Sequence, residues 1–189
     1  LRGFYIQPLK YEYGEFVAPA PLQHANYVYA DRADYALTVI LPERYLLAGP
    51  GEITSVDNGD GTRTWTLAAD NIRELCLSVG MRWREYSAET SSGTRLRLLA
   101  NTRDAQKTLD MALETLEVYE NWFGPLDGDV TIAQSDYALG TISLPGILWA
   151  NEAALSDAMV LRGALARQFF GYGAYPMPTE DAWLSDSVG

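Results

Sequence analysis

The chain has 189 residues, with 14 Lys+Arg against 25 Asp+Glu, one His and one Cys, for a formal charge of −11. A hydrophobic content of 48% excludes a disordered chain. The acidity argues against nucleic acid as a partner, because phosphate binding needs clustered Lys and Arg. A lone Cys76 excludes an internal disulfide and a four-thiolate zinc site. The single His24 excludes a two-imidazole zinc site built from this chain alone. It also leaves one imidazole for any Ser–His or Cys–His nucleophile. His24 sits in a polar loop, residues 21–26, with no nucleophile motif beside it, so a loop-packing role is the better reading. No apolar run reaches the ~18 residues of a membrane helix. The chain starts at Leu1 rather than Met and is expected to be a piece of a longer protein. A missing targeting segment therefore excludes nothing.

In chain order, the first half reads as strands and turns. Residues 35–41 are β-branched and aromatic and stop at Pro42. Asn58-Gly59-Asp60-Gly61 predicts a hairpin joining residues 52–56 to 62–67. In the second of these strands Thr62, Thr64 and Thr66 alternate with Arg63, Trp65 and Leu67, the period of a strand with one buried face. Residues 75–80, 82–86 and 94–99 predict three more strands. Within them Cys76 alternates with Leu75 and Leu77, and no base or cation beside it suggests reactivity. Arg82, Arg84, Arg95 and Arg97 could meet as a small basic stripe, to which no ligand is assigned. Six tyrosines crowd the first 35 residues, which inter-sheet packing explains more simply than a partner surface.

The pattern changes near Asn101. Thr102 or Asn101 can cap a helix starting near Arg103, with Leu109, Ala112, Leu113 and Leu116 at helical spacing, and Gly124-Pro125 ends it. Residues 130–133 and 147–150 are short strands. Ser156 or Asp157 can cap a second helix with Val160, Leu161, Ala164, Leu165 and Phe169 as its apolar positions. A Gly/Pro-rich loop follows, and Glu180-Asp181 opens a third helical stretch. Glu180, Asp181 and Asp186 suit helix N-terminal acids better than a Ca²⁺ site. A boundary near Asn101 thus divides an all-β module from a mixed one with too few elements to close a core.

These residues carry a resemblance. Gln168-Phe169-Phe170-Gly171, then Asp181-Ala182-Trp183-Leu184-Ser185-Asp186, resembles the aminopeptidase-N family of gluzincin metallopeptidases. That family has H-E-x-x-H-Q-W-F-G on one helix and W-L-x-E-G on the next. Between Arg167 and Asp186 lie 18 residues, the family's interval between its second His and its ligand Glu. Gly140-Thr141-Ile142-Ser143-Leu144-Pro145 resembles the family's G-[AG]-M-E-N or G-G-M-E-x-P strand. Tyr119-Glu120-Asn121-Trp122-Phe123-Gly124 resembles its Y-E-x-x-F-G helix end. Phe4-Tyr5-Ile6-Gln7-Pro8 and the strand to Pro42 look like its N-terminal β-domain. The resemblance implies an α+β fold. A β-rich, sandwich-like domain would span residues 1–101, and the start of a thermolysin-like α/β domain residues 102–189.

In the family two His at i and i+4 bind Zn²⁺ together with the downstream Glu, and the intervening Glu is the general base. By the resemblance, Gly163 and Arg167 stand at the two His positions, Ala164 at the base and Asp186 at the ligand Glu. Ser143 stands at the Glu that binds the substrate amine. Gly163 and Ala164 offer no donor, Arg167 stays cationic, and one carboxylate does not hold zinc. The expectation is a metallopeptidase-like scaffold without zinc ligands or general base, hence no cofactor, and an ion pair between Arg167 and Asp186 where the metal would sit. Its function would be that of an inactive module that binds peptide or protein, with Gly140, Thr141, Ile142 and Ser143 docking an extended segment by edge pairing. The alternative is a zinc aminopeptidase whose activity depends on residues outside this segment. A membrane tether outside it, and an extracytoplasmic location, are further expectations from the family alone.

Overall fold

A computed structural model describes residues 4–5, 10–17, 30–136 and 140–173. The elements in order are β1 (Lys10–Glu12), β2 (Glu15–Val17), β3 (Ala33–Pro42), β4 (Leu46–Ala48), β5 (Glu52–Asp57) and β6 (Thr62–Ile72). They continue with β7 (Ser78–Gly80), β8 (Arg84–Glu89), β9 (Arg95–Ala100), α1 (Ala105–Phe123) and β10 (Val130–Gln134). Last come β11 (Thr141–Leu144), β12 (Ile147–Ala150), α2 (Glu152–Ser156) and α3 (Ala158–Arg167), and α3 runs into a π-helical segment, Gln168–Gly173. Among the described residues the N-terminal region consists of strands: a β1-β2 hairpin, a three-stranded sheet ordered β3-β6-β5, and the pair β4-β7. A mixed five-stranded sheet follows, ordered β11-β12-β10-β9-β8. Its three central strands are parallel, and both edge strands are antiparallel to their neighbours.

Alternation along the strands sets the layers. Leu96, Leu98 and Ala100 of β9, Val130 and Ile132 of β10, and Leu148 and Ala150 of β12 pack with Leu109, Ala112 and Leu116 of α1 and with Leu161, Ala164 and Leu165 of α3. The other face carries Leu99, Ala133, Ile147 and Trp149, which meet Ala48 and Cys76 from the β-rich region. The five-stranded sheet is therefore buried on both faces, between helices and strands, as parallel sheets must be. Cys76 belongs to this cluster, whereas Leu75 and Leu77 face Leu47, Trp65 and Leu67 on the other side, as their alternation predicts. Hydrogen bonding runs across the expected boundary at Asn101, because β9 before it pairs with β10 after it.

The hairpin at residues 58–61 forms, with Gly59 and Gly61 at φ of 73° and 84°. The carboxylates of Asp57 and Asp60 accept from the N–H groups of Gly59 and Thr62. Other expectations need correction. The strand predicted over residues 75–80 pairs only from Ser78, and β4 and the β1-β2 hairpin carried no sequence signal strong enough to be read. Helix α1 starts at Ala105, with Asp104 at its N-cap position and no side-chain cap bond. The backbone N–H of Asn101 is instead donated to the Gln134 side chain at 2.6 Å, which holds residue 101 to the sheet. The basic stripe does not form either. The β8–β9 register puts Arg95 opposite Glu89 and Arg97 opposite Ser87. Arg97 is paired with Glu85 at 2.8 Å and Arg95 with Asp129 at 3.1 Å.

Candidate functional site

The expected site residues fall on two elements that face each other. Thr141, Ile142 and Ser143 lie on β11, an edge strand of the five-stranded sheet, and Gly140 leads into it with a φ of 102°. Gly163, Ala164 and Arg167 lie on α3. Asp157 caps that helix, its carboxylate accepting from the N–H groups of Met159 and Val160 at 2.9 and 3.2 Å. Asn151 caps the short helix before it in the same way, accepting from Ala154 N–H. The two caps turn the chain from β12 back across the sheet, so that α3 passes beside β11.

Between the two elements is a groove of about 200 Å³ lined by Thr141, Met159, Val160, Gly163, Ala164 and Arg167. The five helical positions recur at i, i+1, i+4, i+5 and i+8, which is one face of a helix. The structure thus brings Thr141, Gly163, Ala164 and Arg167 to one surface. Ile142 points the other way, into the cluster with Trp149 and Leu144. Asp186, the expected partner of Arg167, and His24 lie outside the described residues.

The register leaves part of the β11 backbone facing outward. Asn151 N–H is donated to Gly140 C=O at 2.9 Å, and Thr141 lies opposite Ala150. In an antiparallel pair the inward bonds fall on alternate residues, here 140, 142 and 144. The N–H and C=O of Thr141 therefore point away from β12, toward a side where no strand lies among the described residues.

One residue at this site had no role in the sequence reading. Gln168 is buried just past α3, and its amide NH₂ donates to Ser143 Oγ at 2.6 Å and to Leu144 C=O at 3.1 Å. Its Oε1 accepts from Gly146 N–H at 3.1 Å. Gln168 therefore locks the Pro145-Gly146 hairpin and the end of β11 against the helix. Its only sequence signal was a place in the family-like Gln168-Phe169-Phe170-Gly171 string.

The groove residues Gly163, Ala164 and Arg167 do not by themselves suit a zinc ion. Gly163 and Ala164 have no donor atom, and Arg167 is a fixed cation. Among the described residues no group of three or more His, Cys, Asp or Glu could hold a metal. Two larger hollows exist elsewhere. One of about 340 Å³ lies between β6, the loop after α1 and Gly146, and one of about 360 Å³ lies beside Tyr119, Trp122 and Arg162. Neither contains an expected site residue.

No family model matches the sequence, and no curated protein matches it significantly. The fold does match solved structures. An M1 zinc metallopeptidase from Deinococcus radiodurans superposes with a TM-score of 0.68 at 20% identity, over 85% of this chain and 40% of that one. A two-domain M1 zinc metallopeptidase mutant bound to L-arginine gives 0.66 at 18% identity, with the same 85% and 40% coverage. A Deinococcus radiodurans M1 mutant bound to a Tyr-Ser-Ala substrate gives 0.65 at 18% identity, again over 85% and 40%. The chain spans about 40% of the length of these structures. Its mixed sheet-and-helix architecture with a β-rich N-terminal region is that of M1 metallopeptidases, the fold of the aminopeptidase-N family. At this identity the likeness defines a peptidase-like fold and nothing finer.

Proposed function

We propose that this chain is a peptidase-type scaffold that holds no catalytic zinc and works as a binding module for extended peptide or protein segments. The observation that carries this reading is the groove itself. A metallopeptidase-like helix lies beside an edge strand, and the groove wall it supplies is Met159, Val160, Gly163, Ala164 and Arg167. None of these side chains ligates zinc or takes a proton from a metal-bound water. What the groove retains is a half-buried Thr141 on an outward-facing stretch of backbone, the element that β-strand addition uses. The reading requires Gly163, Ala164 and Arg167 to stand where the ligands and the base stand in active relatives, as the sequence resemblance aligns them.

Two measurements on the purified chain test this. After incubation with excess Zn²⁺ and gel filtration, plasma mass spectrometry is expected to find well under one zinc per chain. Aminoacyl-naphthylamide hydrolysis is expected to stay at the buffer rate. Stoichiometric zinc with hydrolysis that a chelator abolishes would instead establish the zinc aminopeptidase, with ligands supplied from elsewhere in the chain.

A further inference from the structure

The turn between β5 and β6 holds the chain's one Asn-Gly pair, Asn58-Gly59. The other asparagines precede Tyr27, Ile72, Thr102, Trp122 and Glu152. Glycine has no Cβ to shield its amide nitrogen, so that nitrogen can close on the side-chain carbonyl of a preceding asparagine. In this reaction the Gly59 nitrogen bonds to Asn58 Cγ and the Cγ–Nδ2 bond breaks. Ammonia leaves with the proton that the Gly59 nitrogen gives up. Water then opens the five-membered imide on either side, to aspartate or isoaspartate. Residues 57–61 are exposed, so water reaches the site.

In the folded hairpin each reacting group is already held. The Gly59 N–H, on the attacking nitrogen, donates to Asp57 Oδ1 at 2.8 Å. Asn58 Oδ1 accepts from the Thr64 hydroxyl at 3.0 Å, and Asn58 Nδ2, the leaving amine, donates to Thr62 Oγ1 at 2.9 Å. The Thr62 hydroxyl donates in turn to Asp60, which leaves its oxygen to accept from Asn58. The Asn58 backbone N–H closes the turn on Thr62 C=O at 3.1 Å. Thr64 is fixed by β-pairing, opposite Val56. We infer that Asn58 is a latent deamidation site, which the β5–β6 hairpin keeps closed by tying nucleophile, carbonyl and leaving amine to three different side chains. The inference stands apart from the binding-module reading. Ring closure turns the Asn58 side chain back onto its own main chain, which breaks its bonds to both threonines and frees Gly59 from Asp57. Each exposed bond has a modest net worth, but their joint loss before the reaction slows it by about tenfold or more. Conversion has a structural consequence. Isoaspartate routes the main chain through an extra methylene, which the register of Asp57 opposite Arg63 does not accommodate.

The test incubates the full chain in mildly alkaline buffer, folded or unfolded in guanidinium chloride, and follows amide-to-acid conversion at each asparagine by peptide mass mapping. In the unfolded chain Asn58 is expected to convert ahead of Asn71, Asn101, Asn121 and Asn151. In the folded chain its rate should fall by about tenfold or more. Thr64→Val and Asp57→Ala should each raise the folded rate severalfold and leave the unfolded rate of Asn58 unchanged, while Thr64→Ser, which keeps the hydroxyl, should match wild type. Amide spectra report whether each variant keeps the hairpin. Equal Asn58 rates in the folded and unfolded wild type would overturn the inference. So would an unfolded chain in which Asn58 converts no faster than the other asparagines, or a folded Thr64→Val that reacts like wild type. Should a variant lose the hairpin, the ratio of folded to unfolded rates in the wild type decides by itself.

Discussion

Glu120 is a buried charge held by hydrogen bonds from a remote turn. It sits near the end of α1, 8% exposed, with its carboxylate accepting from the hydroxyls of Ser92 and Thr94 in the turn between β8 and β9. Burial by itself would raise its pKa. The hydrogen bonds from Ser92, Thr94 and Thr90 and from the Leu126 backbone outweigh burial and hold the carboxyl below its ordinary value of 4.5. A depressed folded value means stability that is fully present above 4.5 and lost as pH falls through the folded value. Glu120→Gln is expected to cost about 1.5–3 kcal/mol at neutral pH, since hydrogen bonds to a charged acceptor are lost. In urea unfolding the gap between wild type and variant should be flat at neutral pH and close in acid. A gap that widens on acidification would contradict this account. In the sequence Glu120 stood only in a family-like string, residues 119–124. Its partners lie 26 and 28 residues away, beyond the reach of any local pattern.

At the scale of elements, β11 is a short edge strand held at one end by its hairpin and by Gln168. Pro145 and Gly146 form the turn, with Gly146 at a φ of 66° that favours glycine. A Cβ at Gly146 would also come within 2.7 Å of the Pro50 side chain. Removing the Gln168 amide strips one partner from Ser143, from Leu144 C=O and from Gly146 N–H together. Gln168→Ala is therefore expected to speed hydrogen exchange at the Ile142 and Leu144 amides by about tenfold or more, with β9 amides unchanged. Uniform acceleration across the sheet would mean that Gln168 serves global stability and does not specifically brace β11. The strand was legible from its resemblance to a substrate-side strand. Its position at the sheet edge was not, because strand order depends on which remote segments pair.

At the scale of the molecule, the five-stranded sheet joins segments on either side of the composition change near Asn101. Strand β9 is buried on both faces: Leu96 and Leu98 lie under α1, while Leu99 meets Ala133 and Trp149. It hydrogen-bonds to β8 on one side and to β10 on the other. Residues 1–101 and 102–189 expressed separately are thus expected to give poorly dispersed amide spectra, because each half exposes apolar surface that the other covers. A well-dispersed spectrum from either half would show that it closes a core alone. The sequence by itself determined the turn at residues 58–61, the alternation of the strand after it, the apolar face of α1 and a cap for α3 at Ser156 or Asp157. Each of these is a local matter of backbone φ, side-chain period or a hydrogen bond two or three residues away. It also determined that Gly163, Ala164 and Arg167 carry no zinc donor. Only the tertiary structure decided that α3 lies beside a strand edge, that Arg167 and Thr141 share a groove, and that Gln168 and Glu120 serve as internal braces. These depend on contacts between segments many residues apart, which are selected by burial and by the pairing of strands over the whole chain.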